Sequence, residues 1–176
     1  MLDKIDNSIH RDYVLLQSIV VNILVIMEAV MTKAIDVAEY IISYFSNIVT
    51  NPIEGDLTNL KLQKLLYYAQ VLSLKRLKIF LFDDEIEAWE YGPVVPSVYH
   101  QYKSFGKDVL DITKPNLLFK PLDKKNIIDE VIKDKGRFTG IALMEMTHQE
   151  APWKIARKSD NQIITLDLIL QDINQA

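Results

Sequence analysis

From residue 33 to the C-terminus the chain is a succession of segments whose apolar residues recur three and four apart, each bounded by glycine, proline or a capping residue. That spacing is the helical one, and it leaves little of the chain for a sheet. Residues 33–49 carry Ala34, Val37, Ala38, Ile41, Phe45 and Ile48 at helical spacing, with Thr32 as the cap. Asn51-Pro52 and Gly55 break that helix. A second helix starts at a cap on Thr58 or Asn59 and runs to about Leu77. Its buried stripe is Leu62, Leu65, Leu66, Ala69 and Leu72. Lys61, Lys64 and Tyr68 share another face.

Residues 79–91 lose the helical period and alternate instead, so short strands are expected around 80–82 and 86–89. Gly92-Pro93 reads as a turn. Pro96 fits the first position of a helix ending before Gly106, with Val98, Tyr99, Tyr102 and Phe105 on its apolar side. Residues 107–122, with Pro115 and Pro121, read as a loop. Asp123 caps a helix closed by Gly136, Thr139 caps the next, and Pro152 opens a short turn holding Trp153. Residues 161–164 look extended, and Thr165 caps a last helix to about residue 174. The sum is a compact, mainly α domain with a small β-hairpin element. Residues 123–148 resemble the opening helices of a winged-helix module, whose wing would come from 161–164. Direct nucleic-acid binding through it is disfavoured, because residues 140–150 carry Glu145 and Glu150 and no Lys or Arg.

Composition narrows the chemistry further. A chain of 176 residues buries roughly 70% of its unfolded surface and needs no covalent staple. The absence of Cys excludes disulfides, thiolate metal sites and thiol catalysis. A net charge of −4 argues against a broad nucleic-acid footprint. Only five Gly occur, and no Gly-rich phosphate cradle is among them. His10, His100 and His148 lack paired ligand spacing. Glu145 and His148 alone would make half of a di-iron site, so no metal or other cofactor is expected. The run Asp83-Asp84-Glu85-x-Glu87 lacks the ligand periodicity of a calcium loop. No nucleophile has a recognisable base near it in sequence, so the chain reads as a non-enzyme.

Residues 13–27 are apolar but interrupted by Gln17, Ser18 and Asn22, which is short of the span a membrane helix needs. No basic leader or small-residue cleavage site is present, so a cytoplasmic location and no membrane association are expected. Met27-Glu28-Ala29-Val30-Met31 can be encoded by a purine-rich GGAGG followed by ATG, the pattern of a ribosome-binding site read through. Two readings stand for residues 1–30: an upstream extension before a start at Met31, or an amphipathic N-terminal helix.

Three stretches combine polar and aromatic residues unusually: KLQKLLYYAQ from Lys61, EAWEYGPVVPSVYHQYKSFG from Glu87, and PWKIAR from Pro152. Together they resemble the Panacea domain of phage-associated, GepA/SocA-like antitoxins, over about residues 31–174. The resemblance implies an antitoxin of a type II-like two-gene system, neutralising by direct binding a protein toxin encoded by a neighbouring gene. An alternative it also implies is an adaptor that delivers a bound protein to an AAA+ protease. The residues carried over are Lys61, Leu62, Gln63, Lys64, Tyr67, Tyr68, Glu87, Trp89, Tyr91, Gly92, Pro93, Pro96, Tyr99 and Trp153. Each is either a toxin contact or part of the scaffold. The Lys61/Lys64/Tyr68 face and residues 87–99 are expected to form one surface toward the toxin.

Overall fold

Capping chemistry sets most helix boundaries. The computed structural model describes residues 16–17, 32–47, 56–110, 119 and 122–175. The chain divides into two units, Met1–Met31 and Thr32–Ala176, and the second carries the three motifs. The expectations for residues 1–30, for the break at 51–55 and for most of the 107–122 loop lie outside the described residues.

Helix α1, Ala34–Asn47, is capped from a distance. Asp84 Oδ2 accepts the Ala34 amide at 2.8 Å, while Thr32 instead receives Lys124 Nζ at 3.1 Å. Helix α2, Asn59–Arg76, starts where Thr58 Oγ1 accepts the Lys61 amide at 3.2 Å. Lys75 and Arg76 close it, which suits the negative end of the helix dipole. Strands β1, Glu87–Trp89, and β2, Gly92–Val94, pair antiparallel in the register Glu87↔Val94, Ala88↔Pro93 and Trp89↔Gly92. Helix α3, Pro96–Tyr102, begins on its proline and runs into a 3₁₀ turn, Lys103–Phe105, before Gly106.

Helices α4, Leu122–Lys135, and α5, Gly140–Gln149, follow. Gly136 ends α4 because a Cβ there would lie 2.3 Å from the Ile132 carbonyl oxygen. Thr139 caps α5, its Oγ1 accepting the Ala142 amide at 3.1 Å. A short α6, Ala151–Ala156, and a last α7, Leu166–Gln175, complete the described chain.

The mainly helical class with one hairpin is as the sequence indicates, and α2 is its axis. It packs against α1, α3, α4, α5, α7 and β2. Leu62, Leu65, Leu66 and Ala69 are fully buried, each large side chain contributing about 2 kcal/mol of burial. Leu72, expected on the same stripe, is only half-buried.

Three expectations are corrected. The Gly92-Pro93 pair belongs to β2, and the two-residue turn is Glu90-Tyr91. Pro93 is tolerated there because it faces Ala88, whose amide points the other way, to the Gln162 carbonyl at 2.7 Å, so no N–H is needed from position 93. Residues 80–82 form no strand. Gln70 Oε1 accepts the amides of Leu81 and Phe82, and Gln70 Nε2 donates to the Phe82 carbonyl, so one side chain replaces a strand neighbour. Residues 161–164 form no wing of their own. Ile163 bridges to Glu87, and the Ile164 amide donates to Ile86 O at 2.8 Å, adding a short third rung to the hairpin.

Candidate functional site

The polar residues of the first motif point inward. Positions 59, 63, 70 and 73 fall on one narrow stripe of α2 at about 100° per residue. That stripe staples the 79–99 segment to the helix. Asn59 Nδ2 donates to the Tyr99 carbonyl at 3.3 Å, and Gln63 Nε2 bridges back to Asn59 Oδ1 at 3.1 Å. Gln63 Oε1 accepts the Val95 amide at 2.9 Å, and Ser73 Oγ donates to Ile79 O at 3.0 Å. With Gln70, these side chains satisfy backbone groups that a longer sheet would otherwise have paired.

Lys61 and Lys64 are both 0% exposed, which overturns their expected place on a surface. Lys61 Nζ donates to the Gly136 carbonyl at 2.5 Å, serving the C-terminal end of α4, and lies 4.8 Å from the centre of the Phe45 ring. Lys64 Nζ donates to Pro93 O at 2.9 Å, on the outer edge of β2. Desolvation lowers its pKa to about 7. Gly92, at φ +94°, leaves room for this lysine: a Cβ there would lie 2.7 Å from Lys64 Cε and 2.8 Å from Thr147 Oγ1.

Tyr67 is buried and donates to Glu150 Oε2 at 2.7 Å. Burial raises its pKa, and the neighbouring carboxylate adds to the rise. Burial also raises Glu150, opposed by the hydrogen bonds from Tyr67 and Tyr68. Half-buried Tyr68 packs on Tyr67 at 5.5 Å between ring centres, beneath the Lys135 ammonium at 5.1 Å.

The second motif holds its aromatics differently. Trp89 Nε1 donates to Glu87 Oε2 at 2.6 Å, and Trp153 Nε1 donates to the Trp89 carbonyl at 3.0 Å, locking the third motif to the hairpin. Trp89 meets Tyr99 edge-on at 4.9 Å, and His100 lies 6.3 Å away. Trp153 stacks on His148 at 3.9 Å. Burial lowers the His148 pKa and the nearby Lys64 charge adds to this, while its Nε2 meets no protein acceptor. Arg157 Nη1 reaches Gln162 Oε1 at 2.8 Å behind the hairpin. At the tip, Tyr91 is 61% exposed. Val94, Pro93 and Gly92 are buried, and Pro96 is half-buried at the start of α3.

The structure thus gathers Glu87, Trp89, Tyr99 and Trp153 into one half-buried cluster, and leaves Tyr91 exposed on the adjoining turn. It sends Lys61, Gln63, Lys64 and Tyr67 into the core. Asn59, Gln70, Thr147, His148, Glu150 and Arg157 belong to the same construction and were not singled out for it by sequence. The seven-residue spacing of Gln63 and Gln70, two helical turns, could have pointed to Gln70; no such local signal marks the others. Among the described residues no group of three or more His, Asp or Glu could hold a metal ion. Asp84 and Glu87 of the acidic run are engaged with Ala34, Ser97 and Trp89. No described helix is long and apolar enough to cross a membrane.

The module is mainly helical, with its polar interior spent on bracing an aromatic hairpin. Residues 62–154, slightly more than half of the chain, match the family described as "Antitoxin SocA-like, Panacea domain", and the chain belongs to that family. It is also similar to a protein named "Antitoxin SocA" from Caulobacter vibrioides (strain NA1000 / CB15N). The two are 28% identical over 130 residues, covering 66% of this chain and 68% of that protein. No solved structure matches significantly.

Proposed function

We propose that this chain is the antitoxin of a type II-like pair and neutralises by direct contact a protein toxin encoded by the neighbouring gene. Family membership and the similarity to the Caulobacter antitoxin support the role. One observation carries the proposed surface: a large aromatic residue, Tyr91, 61% exposed at the tip of a two-residue turn whose flanks are fixed on both sides. Lys64 and Gln63 hold β2 and Val95, and Trp153 holds β1. A side chain displayed on so fixed a turn loses little ordering entropy on binding, and Tyr and Trp are the residues that dominate binding energy at interfaces. Tyr91 is the contact residue on this reading, and Trp89 and Tyr99 pack together to brace the hairpin that carries it. Lys61, Gln63, Lys64, Tyr67, Gly92 and Pro93 are scaffold.

The test is co-expression with the neighbouring gene. Wild type restores growth and co-purifies with the toxin, whereas Tyr91→Ala loses both while keeping its thermal midpoint. A Tyr91→Ala protein that neutralises as wild type does would move the contact surface elsewhere. Failure of the wild type to bind the neighbouring product would overturn the antitoxin reading itself. The activity is assigned to residues 31–174, so a chain begun at Met31 neutralises as the full chain does. Loss of neutralisation in that shorter chain would return a role to residues 1–30.

A further inference from the structure

A groove of about 170 Å³ lies between the α2–β1 connection and the start of α7. Its floor is apolar, formed by Leu74, Phe80, Ile86, Ile163 and Leu166. Phe80 is 48% exposed and its neighbour Ile79 is 42% exposed, so two large apolar side chains face water side by side. Asp83, Asp84 and Glu85 line the groove as well, and no Lys, Arg or His does. Both oxygens of Asp84 are engaged, by the Ala34 amide and by Ser97 Oγ, so the outward charge comes from exposed Asp83 and Glu85. The Lys124 ammonium, which Asp83 and Asp123 favour, is buried against Thr32 and Leu81 O and lies outside the groove lining.

The volume is below the roughly 300 Å³ at which small-molecule sites begin, and suits one or two side chains of a protein partner. An apolar floor with an all-carboxylate rim complements a segment that carries apolar anchors and Lys or Arg. β1 runs from the groove at Ile86 to the aromatic end at Trp89. Its three residues span about 10 Å, so one partner segment can cover both.

We infer that this groove is a second contact for the toxin and takes an extended, cationic segment of it with an apolar side chain seated on Phe80. The inference rests on the antitoxin reading and adds the chemistry of the partner to it. Asp83 also favours the Lys124 ammonium, whereas exposed Glu85 and half-exposed Phe80 are left to face outward. Asp84 and Ile86, by contrast, are spent on holding α1 and residue 164.

The experiment measures the dissociation constant of the full chain for the neighbouring-gene protein, at low and at high salt. Variants are the double change Asp83→Lys with Glu85→Lys, the single Glu85→Lys, Phe80→Ser and Tyr91→Ala. The charge-reversed double variant should bind at least about tenfold more weakly at low salt, with the deficit shrinking as salt screens it. Glu85→Lys alone should show a smaller deficit of the same kind, and guards against a folding defect at Asp83. Phe80→Ser should weaken binding at both salt concentrations. If these three variants bind as wild type does while Tyr91→Ala is impaired, the groove inference falls and the antitoxin reading stands. If wild type binds no neighbouring product, both fall. Sedimentation of the protein alone supplies the remaining arm: a dimer lost in Phe80→Ser would give the groove to a second copy of this chain and overturn the inference.

Discussion

Along α2, two lysines and two glutamines are closed off from water, while at the hairpin tip a tyrosine stands in it. The two regions are 21 residues or more apart in sequence and depend on each other. Helix α2 can carry Lys61, Gln63, Lys64 and Gln70 inside because each hydrogen-bonds a backbone group brought to it by another segment. The hairpin has only three residues per strand, too few for independent stability in water. It holds because Lys64, Gln63, the Trp153 indole and residues 162–164 supply the hydrogen bonds that further strands would have made. Buried polarity in one region is the condition for rigid exposed aromatics in the other.

The sharpest way to break this relation is Lys64→Glu. It removes the donor to Pro93 and buries a carboxylate against that same carbonyl oxygen. A loss of about 4 kcal/mol in unfolding free energy is expected, read by denaturant titration. A variant as stable as wild type would show that the hairpin does not need this contact. Next comes Gln70→Ala, which strips partners from two amides and one carbonyl at residues 81–82. It should cost about 3 kcal/mol and loosen the 79–86 segment, visible as faster amide exchange at Leu81 and Phe82. Protection unchanged at those two amides would assign the segment's order to other contacts.

Per pH unit the pH dependence is smaller, and it has a definite sign. Unfolded, Lys64 keeps its proton up to the usual lysine value of 10.5, whereas folded it releases it near pH 7. Between these values the unfolded chain binds more protons, so stability rises with pH. The Lys64 contribution to that slope is at most about 1.4 kcal/mol per pH unit. Its desolvation cost is fully present below pH 7 and gone above 10.5. The raised pKa values of Tyr67 and Tyr68 act the other way above about pH 10, where the unfolded tyrosines lose protons first. Lys64→Met should flatten the rise between pH 7 and 10. Thermal midpoints of the two proteins that run parallel across that range would contradict the assignment.

The smallest effect on stability belongs to the other region. Tyr91→Ala should shift unfolding by less than about 0.5 kcal/mol, as exposed positions do. Its effect should appear in toxin binding alone. A larger loss would mean that the tip braces the hairpin and does not merely present a side chain.

Most helices were legible because their signals are local: Thr58, Pro96, Thr139 and Gly136 act on their own turn of chain. The cap of α1 was not. Asp84, fifty residues away, does what Thr32 was expected to do. The hairpin's existence was readable from alternation around 86–89, but its register was not. Pro93 is acceptable in a strand only when its partner's amide faces elsewhere, and that depends on residue 162. Of the candidate site, the motifs drew attention to α2 and the hairpin, while the rarity of buried lysine placed Lys61 and Lys64 on a surface where they are not.

The sequence by itself determined the helical class, the absence of thiol chemistry and the presence of a small β element. These follow from spacing, capping and composition, which act over a few residues. Only the tertiary structure decided that the Lys61 and Lys64 face of α2 turns inward as well as its leucine stripe. A helix face is buried or exposed according to what packs on it, and a lysine is tolerated inside only where a carbonyl waits for it. The carbonyls of Gly136 and Pro93 are brought to Lys61 and Lys64 by chain segments 75 and 29 residues away.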